Sequence, residues 1–189
     1  DLAGRPHRTH GLQLWAALPK AHEEDEPSFT HTPQADIPVV ALDGAVVKVL
    51  IGTAFGQTSP VRTYMQTVYL DVALQAGREL RLEGLPAEAA IYPVSGEVLV
   101  DGVALAPHTM ALLEAGTVPV VTAGGGAVQF VVIGGEPLDG HRYLFWNFVS
   151  SSKERLAQAA DDWSAQRMGS VPGETEFIPL PKAPLRPPA

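Results

Sequence analysis

The sequence predicts an all-β protein of the jelly-roll kind, an antiparallel sandwich or barrel, because short strand-like runs fill its central part. Residues 61–137 contain about eight such runs, separated by Gly, Pro and Asp. Residues 67–72 alternate between aliphatic side chains and a side that carries Tyr69 and Asp71. An Asp101-Gly102 pair between two apolar runs predicts a tight hairpin, since both positions tolerate a positive φ.

The remaining elements follow in chain order. Upstream of the centre we expect a strand at 10–19 that Pro19 closes, a solvated charged loop at 20–26, a short strand at 27–32, and a hairpin at 37–52 that turns at Asp43-Gly44. The central runs lie at 67–72, 79–82, 89–94, 97–100, 103–106, 109–114, 118–121 and 128–133.

One helix is predicted after the strands. Ser151 and Glu154 have the spacing of a capping box, and Gly169 is placed to end the helix. The side chains that form its apolar stripe, with an arginine at the edge, are Leu156, Ala160, Trp163 and Arg167. Residues 174–178 continue as extended chain, and residues 179–189, with five prolines, form a disordered or loosely attached tail.

Composition narrows the classes of function. The net charge of -8 argues against binding to nucleic-acid backbones or anionic lipid surfaces. The absence of cysteine excludes disulfides, thiolate metal sites and cysteine nucleophiles. No apolar run approaches the ~20 residues that span a bilayer, and no signal peptide is visible, so we expect a cytoplasmic protein.

Several segments resemble the pirin family. The first is HGLQLWAALPKAH at 10–22, and the others are TVYLDVALQAG at 67–77, YPVSGEVLVDG at 92–102, VIGGEPL at 132–138, FWNFVSSSKERLAQAADDW at 145–163 and PGETEFIPLP at 172–181. The resemblance implies a bicupin, a protein with two cupin barrels. It assigns 1–35 to the end of the N-terminal cupin and a linker, 36–150 to the C-terminal cupin, 151–178 to the helix and extended segment, and 179–189 to the tail.

The resemblance also implies where a metal would be bound. In pirins, three histidines and a glutamate of the N-terminal cupin hold Fe(II) or another divalent metal. The two stretches that carry them precede the HGLQLW strand and do not occur in this sequence, and His7 and His10 have the wrong spacing. We therefore expect no catalytic, cofactor-binding or metal-binding residue in this chain, and a metal in an N-terminal cupin that the chain lacks. Gln13 and His10 are the candidates for one wall of the cavity.

The residues of the second barrel lead to the same expectation. Cupin ligands would fall near Glu83, Leu85 and Ala89, with Glu88 one residue away, and near 118–119. The only histidine within residues 61–137 is His108, so the ligand set is incomplete.

Other candidate residues have simpler interpretations. The histidines at 7, 10, 22 and 31 fit no ligand spacing and are interpreted as solvated side chains, with an adventitious metal site as the alternative. Gly124–Gly126 lack the Lys-Ser/Thr of a phosphate loop and predict a β-turn. The three tryptophans, Trp15, Trp146 and Trp163, are expected to pack rather than to catalyse.

Three classes of function remain open, the third being a structural remnant with a stress or housekeeping role. The resemblance implies an iron-dependent dioxygenase that opens flavonols such as quercetin when the protein is full length, with this chain inactive alone. The alternative is a regulatory binding module that acts on transcription or metabolism through protein contacts. A strand at 10–19 without neighbours further predicts a homodimer, or pairing with the N-terminal half.

Overall fold

The computed structural model describes residues 4, 6, 7 and 9–181. Its contacts divide the chain into two compact units. The barrel unit is Glu24–Leu138, and the terminal unit consists of the described residues up to 23 together with those from 139 onward.

The barrel unit is built from two antiparallel sheets. Its strands are β1 (Val39–Leu42), β2 (Ala45–Ile51), β3 (Thr53–Ala54), β4 (Gln57–Thr58), β5 (Thr67–Leu74), β6 (Glu79–Arg81), β7 (Glu88–Ser95), β8 (Val98–Val100), β9 (Val103–Leu105), β10 (Ala111–Leu112), β11 (Val120–Ala123) and β12 (Val128–Gly135). The larger sheet has the order β1-β2-β5-β12-β7-β10, and the smaller has the order β6-β11-β8-β9. All eight runs predicted in the centre form strands, and the predicted all-β class is confirmed.

The hydrophobic core lies between these two sheets. Alternate residues of β5 are buried, among them Leu70 and Val72, while Tyr69 and Asp71 point to the outer face. Phe130 from the larger sheet and Val98 from the smaller are fully buried in the same cluster. The alternation of side chains along β5 therefore places its aliphatic residues in the interior and its polar residues on the outer face.

Both predicted Asp-Gly hairpins form. Asp101 and Gly102 have φ values of 49° and 82°, so both central residues take the left-handed conformation expected of this turn, and Val100 pairs with Val103. The earlier turn joins β1 to β2, where Leu42 pairs with Ala45.

The terminal unit contains the hairpin β13 (Tyr143–Phe145) and β14 (Phe148–Ser150) and the helix α1 (Lys153–Ser164). The N-cap of α1 is Ser152, whose hydroxyl accepts a hydrogen bond from the Arg155 amide at 3.2 Å. The predicted cap at Ser151 was therefore one residue early, because Ser151 instead donates to the carboxylate of Glu23. The helix ends at Ser164 rather than near Gly169.

An aromatic cluster covers the helix in this unit. The Trp163 ring lies 5.2 Å from that of Trp146 and 5.6 Å from that of Phe177, and its indole N–H donates to the Ile178 carbonyl at 2.8 Å. These contacts confirm the packing role of Trp146 and Trp163, whereas Trp15 is 60% exposed and does not follow that prediction.

The strands predicted at 10–19 and 27–32 do not form. Among the described residues no strand begins before Val39, and a strand needs a neighbour to complete its hydrogen-bond ladder. Most of the predicted tail, residues 182–189, lies outside the described residues. No helix within the described ranges has the length and apolar character needed to cross a membrane.

Candidate functional site

The interior of the barrel is filled by aliphatic and aromatic side chains. Val47, Val49, Ile91, Val121 and Phe130 are each fully buried there. In the described part of this unit the only buried polar side chain is Ser59, whose hydroxyl donates to the Leu50 carbonyl at 2.7 Å. The interior therefore offers neither ligands for an ion nor open space for a substrate.

The positions where cupin ligands were sought do not converge. Glu83 and Glu88 are exposed, and Val118, where the later histidine would fall, is 41% exposed. His108 is also exposed, in a turn with φ 64°, and its Nδ1 lies 3.4 Å from the Tyr92 hydroxyl. Within the described ranges no three His, Cys, Asp or Glu side chains are grouped so that they could hold a metal. The donor groups of the described residues therefore do not fit a metal.

A cavity lies on the outer face of the larger sheet, and we call it the outer-face cavity. Its volume is about 1030 Å³. Side chains of β1, β2 and β5 form one side, and residues from the segments 28–37 and 61–64 form the rest. All of these residues belong to the barrel unit.

An ion pair is set into the wall of this cavity. Lys48 on β2 lies directly opposite Asp71 on β5, and its ammonium group donates to one Asp71 oxygen at 2.9 Å. Gln129 donates to the other oxygen at 2.8 Å. Both oxygens of Asp71 are thus occupied, and its side chain is only 16% exposed. Opposite charges on neighbouring strands stabilise a sheet by about 0.2–1 kcal/mol.

Tyr69 lies one outer-face position along β5 from this pair. Burial, followed by the negative charge of Asp71, raises the pKa of the Tyr69 phenol above its ordinary value of 10.0. The phenol therefore stays protonated at neutral pH and can donate a hydrogen bond into the cavity.

The terminal unit has a second cavity of about 660 Å³. Residues 14–18, together with Leu144 and Val149, line it, and Glu23 and Arg142 form a polar wall. Neither His10 nor Gln13 lines this cavity or the outer-face cavity, and both side chains are exposed. Their role as a pocket wall stays a prediction.

Arg142 holds the 14–23 segment to the loop before β13. Its side chain is 5% exposed, pairs with Glu23 and Asp139, and donates to the Leu18 carbonyl at 2.7 Å. Glu23 also accepts from the Ser151 amide at 3.0 Å. Burial raises the pKa of the Glu23 carboxyl, but hydrogen bonds from Ser151 and the charge of Arg142 outweigh it, so this pKa lies below its ordinary value.

Comparison with known proteins identifies the family. The pirin C-terminal cupin domain matches residues 69–169. A pirin-like protein of Caulobacter vibrioides is 40% identical over 178 residues, which make up 93% of this chain and 61% of the relative. This chain belongs to the pirin family.

Other pirins and a solved structure agree with this assignment. Human pirin is 32% identical over 167 residues, covering 85% of this chain and 57% of its own length. The crystal structure of a quercetin 2,3-dioxygenase from Acinetobacter baumannii superposes with a TM-score of 0.82 at 29% identity, covering 92% of this chain and 59% of that protein. The resemblance inferred from sequence and the cupin fold are confirmed. The chain spans about three fifths of the length of these relatives.

Sequence reasoning missed the outer-face cavity. The alternation in β5 correctly placed Tyr69 and Asp71 on one face. It could not show that Lys48 would lie opposite Asp71, because the register between β2 and β5 includes a bulge between Val49 and Ile51. The sequence did offer one signal for this pair, since Lys48 and Asp71 carry opposite charges and lie on two predicted strands.

Proposed function

We propose that the protein works as a pirin-type dioxygenase that opens flavonols such as quercetin, and that this chain contributes its C-terminal barrel. One observation carries the proposal: the likeness to the quercetin 2,3-dioxygenase of Acinetobacter baumannii extends over 92% of this chain at 29% identity. That identity and the TM-score of 0.82 together support more than a shared fold.

The barrel of this chain would act as a scaffold rather than as the metal centre. Its interior is closed by Leu70, Ile91 and Phe130, none of which is accessible to solvent. The resemblance assigns Fe(II) or another divalent metal to an N-terminal cupin, and the relatives extend beyond the part that this chain matches. We assign no chemical step to residues of this chain.

Two proteins test the proposal: the 189-residue chain, and a fusion of it to the part of the Caulobacter relative outside the match, which the pirin resemblance predicts to be an N-terminal cupin. After iron loading, we expect the fusion to consume quercetin under air, measured by the loss of its visible absorbance, and to hold about one iron by elemental analysis. The chain alone should do neither. A fusion in which one ligand histidine of the added cupin is replaced by alanine is the control, and it should lose turnover and iron together.

Two results would contradict this proposal. The first is metal-dependent quercetin turnover by the chain alone, because the donor groups in its described part do not fit a metal. The second is a folded, iron-loaded fusion that leaves quercetin and related flavonols intact.

A second candidate is a regulatory module that acts through protein contacts. It is favoured by apolar side chains that the terminal unit leaves exposed, Trp15 at 60%, Leu144 at 68% and Leu14 at 43%. Iron-loaded fusion protein that turns over no flavonol, yet co-purifies with a defined partner only when Trp15 is present, would favour this candidate over the dioxygenase.

A further inference from the structure

The outer-face cavity carries an excess of positive charge in an acidic protein. Three ionised side chains line it, namely Lys48, Arg62 and Asp71. Lys48 and Asp71 neutralise each other at 2.9 Å. Arg62 is exposed, and among the described residues it has no ion-pair partner. A local charge of +1 in a chain of net charge -8 favours a ligand with a single negative charge.

The shape of the Arg62 guanidinium restricts the chemical class of the ligand further. A guanidinium presents its N–H groups as a planar fork that matches the two oxygens of a carboxylate. A doubly charged phosphate is less suitable, since the lining carries a net charge of only +1 and would leave the second negative charge uncompensated. A metal cation is also unsuitable, because both Asp71 oxygens already accept from Lys48 and Gln129.

The rest of the lining fits a ring with polar substituents. Leu50 and Val61 supply aliphatic surface, and Tyr64 and Tyr69 supply aromatic faces. The volume of about 1030 Å³ is ample for a small molecule, since ligand pockets span about 300–1,000 Å³.

Hydroxyl groups line the other side of the cavity. They belong to Ser28, Thr30, Thr32 and Thr63. Ser28, Thr30 and Thr32 alternate along the chain with Phe29, which is 91% exposed and is not part of the lining, so one edge of the extended segment faces the cavity. Hydroxyls both donate and accept, and they suit a ligand that carries phenolic groups.

We propose that the outer-face cavity binds a small aromatic carboxylate bearing phenolic hydroxyl groups, with Arg62 on the carboxylate and the Tyr69 hydroxyl on the ring substituents. The proposal does not rest on the dioxygenase activity, because it uses no metal and only residues of the barrel unit. It adds a ligand site on the opposite side of the sheet from the packed barrel interior.

The test uses 3,4-dihydroxybenzoate and its uncharged methyl ester as probes. Each is titrated into the 15N-labelled 189-residue chain, and amide shifts are followed by two-dimensional NMR. We expect saturable shifts at residues 30–32, 48, 62–64 and 69–71, with the acid binding at least about tenfold more tightly than the ester, since a hydrogen bond to a charged group contributes roughly 1.5–3 kcal/mol. Equal affinity of the two probes, shifts outside these residues, or no shifts at millimolar probe would overturn the proposal.

Three variants assign the interactions. Arg62→Gln should remove the preference for the acid over the ester, while Arg81→Gln, an exposed arginine on β6 outside the cavity, should leave it unchanged. Tyr69→Phe should weaken both probes about fivefold, the value of one neutral hydrogen bond. Well-dispersed spectra establish that each variant is folded. The same acid preference in Arg62→Gln and Arg81→Gln would refute the role of Arg62.

Discussion

The substitution Glu23→Gln tests the buried polar network that organises the terminal unit. The side chains of Glu23 and Arg142 are 11% and 5% exposed, so neither can regain full hydration when its partner is lost. Glutamine keeps the shape of the side chain but removes its charge. Its single carbonyl oxygen can replace Oε1, which accepts from the Ser151 amide and from Arg142, or Oε2, which accepts from the hydroxyls of Ser150 and Ser151, but it cannot replace both.

The expected loss of stability is about 2 kcal/mol. Removing one partner of a buried ion pair typically costs about 3–5 kcal/mol, because the remaining charge is left buried. Here Arg142 retains Asp139, whose side chain is 45% exposed, and the Leu18 carbonyl. These partners compensate part of the cost, which places the estimate near the ~1.5–3 kcal/mol of one charge-assisted hydrogen bond.

Tryptophan fluorescence reports selectively on this unit. Residues 15, 146 and 163 are the three tryptophans of the chain, and all lie in the terminal unit. Urea unfolding followed at this signal should show a midpoint lower by roughly 1 M, since m is about 1–3 kcal/mol/M for small proteins. Far-ultraviolet circular dichroism follows the strands of the barrel unit in the same samples. Glu26→Gln, an exposed carboxylate nearby in sequence, is the matched control and should shift neither signal.

The effect of pH provides a second readout with a definite sign. The pKa of Glu23 is lower in the folded chain than its ordinary 4.5, so its stabilising effect is complete above pH 4.5 and is lost as the pH falls through the lower, folded value. The wild-type tryptophan transition should therefore shift to lower urea in this range, and the Glu23→Gln transition should shift less. Coincident urea curves for the wild type and Glu23→Gln at pH 7 would refute the account of this network.

Three further predictions concern the barrel and the exposed apolar surface. Gly52→Ala should destabilise the barrel by at least ~3 kcal/mol, because Gly52 has φ 83° and a Cβ there would collide with the Thr67 carbonyl. Its control is Gly102→Ala, which has a similar φ of 82° but open space around the added Cβ, and which should cost only ~1–2 kcal/mol. Thermal melts of the two variants measure both losses. Phe130→Ala should lower the free energy of unfolding in urea by ~3–5 kcal/mol, because this side chain is fully buried. Phe29, whose side chain is 91% exposed, is the control, and Phe29→Ala should cost almost nothing. Similar losses for both variants would contradict the assigned core. Light scattering should show a dimer that Trp15→Ser converts to monomer, whereas a wild-type monomer at all concentrations would show that this surface does not self-associate.

The strand pattern of the barrel could be predicted because its signals are local. Alternation in β5 and the Asp101-Gly102 turn each specify a conformation within a few neighbouring residues. Helix α1 could be predicted for the same reason, but its cap could not be placed to the residue. Three consecutive serines precede the helix, and the choice of Ser152 depends on the carboxylate of Glu23, which is 128 positions away from Ser151.

The segment at 10–19 shows the opposite case. Its alternation is as regular as that of β5, yet it forms no strand in the described structure, because the ladder depends on a neighbouring chain that sequence periodicity does not supply. The cavity wall likewise depends on a long-range pairing. Lys48 and Asp71 meet only through the register of β2 with β5, and neither position carries a motif of its own.

The inner and outer faces of the larger sheet have different roles: the inner face stabilises the fold, and the outer face lines the cavity. On the inner face, Leu70 and Val72 complete a packed core that leaves no room for an ion. On the outer face the alternate positions of the same strand, Tyr69 and Asp71, are only partly buried and line open space. Successive side chains of a strand point to opposite faces of the sheet, so apolar residues can fill the barrel interior while polar residues of the same strand face outward. A cupin barrel with a fully packed interior can therefore still present a binding surface on its outer face. Function in this chain should accordingly be sought on the outside of its sheet, with Arg62 as the first residue to test.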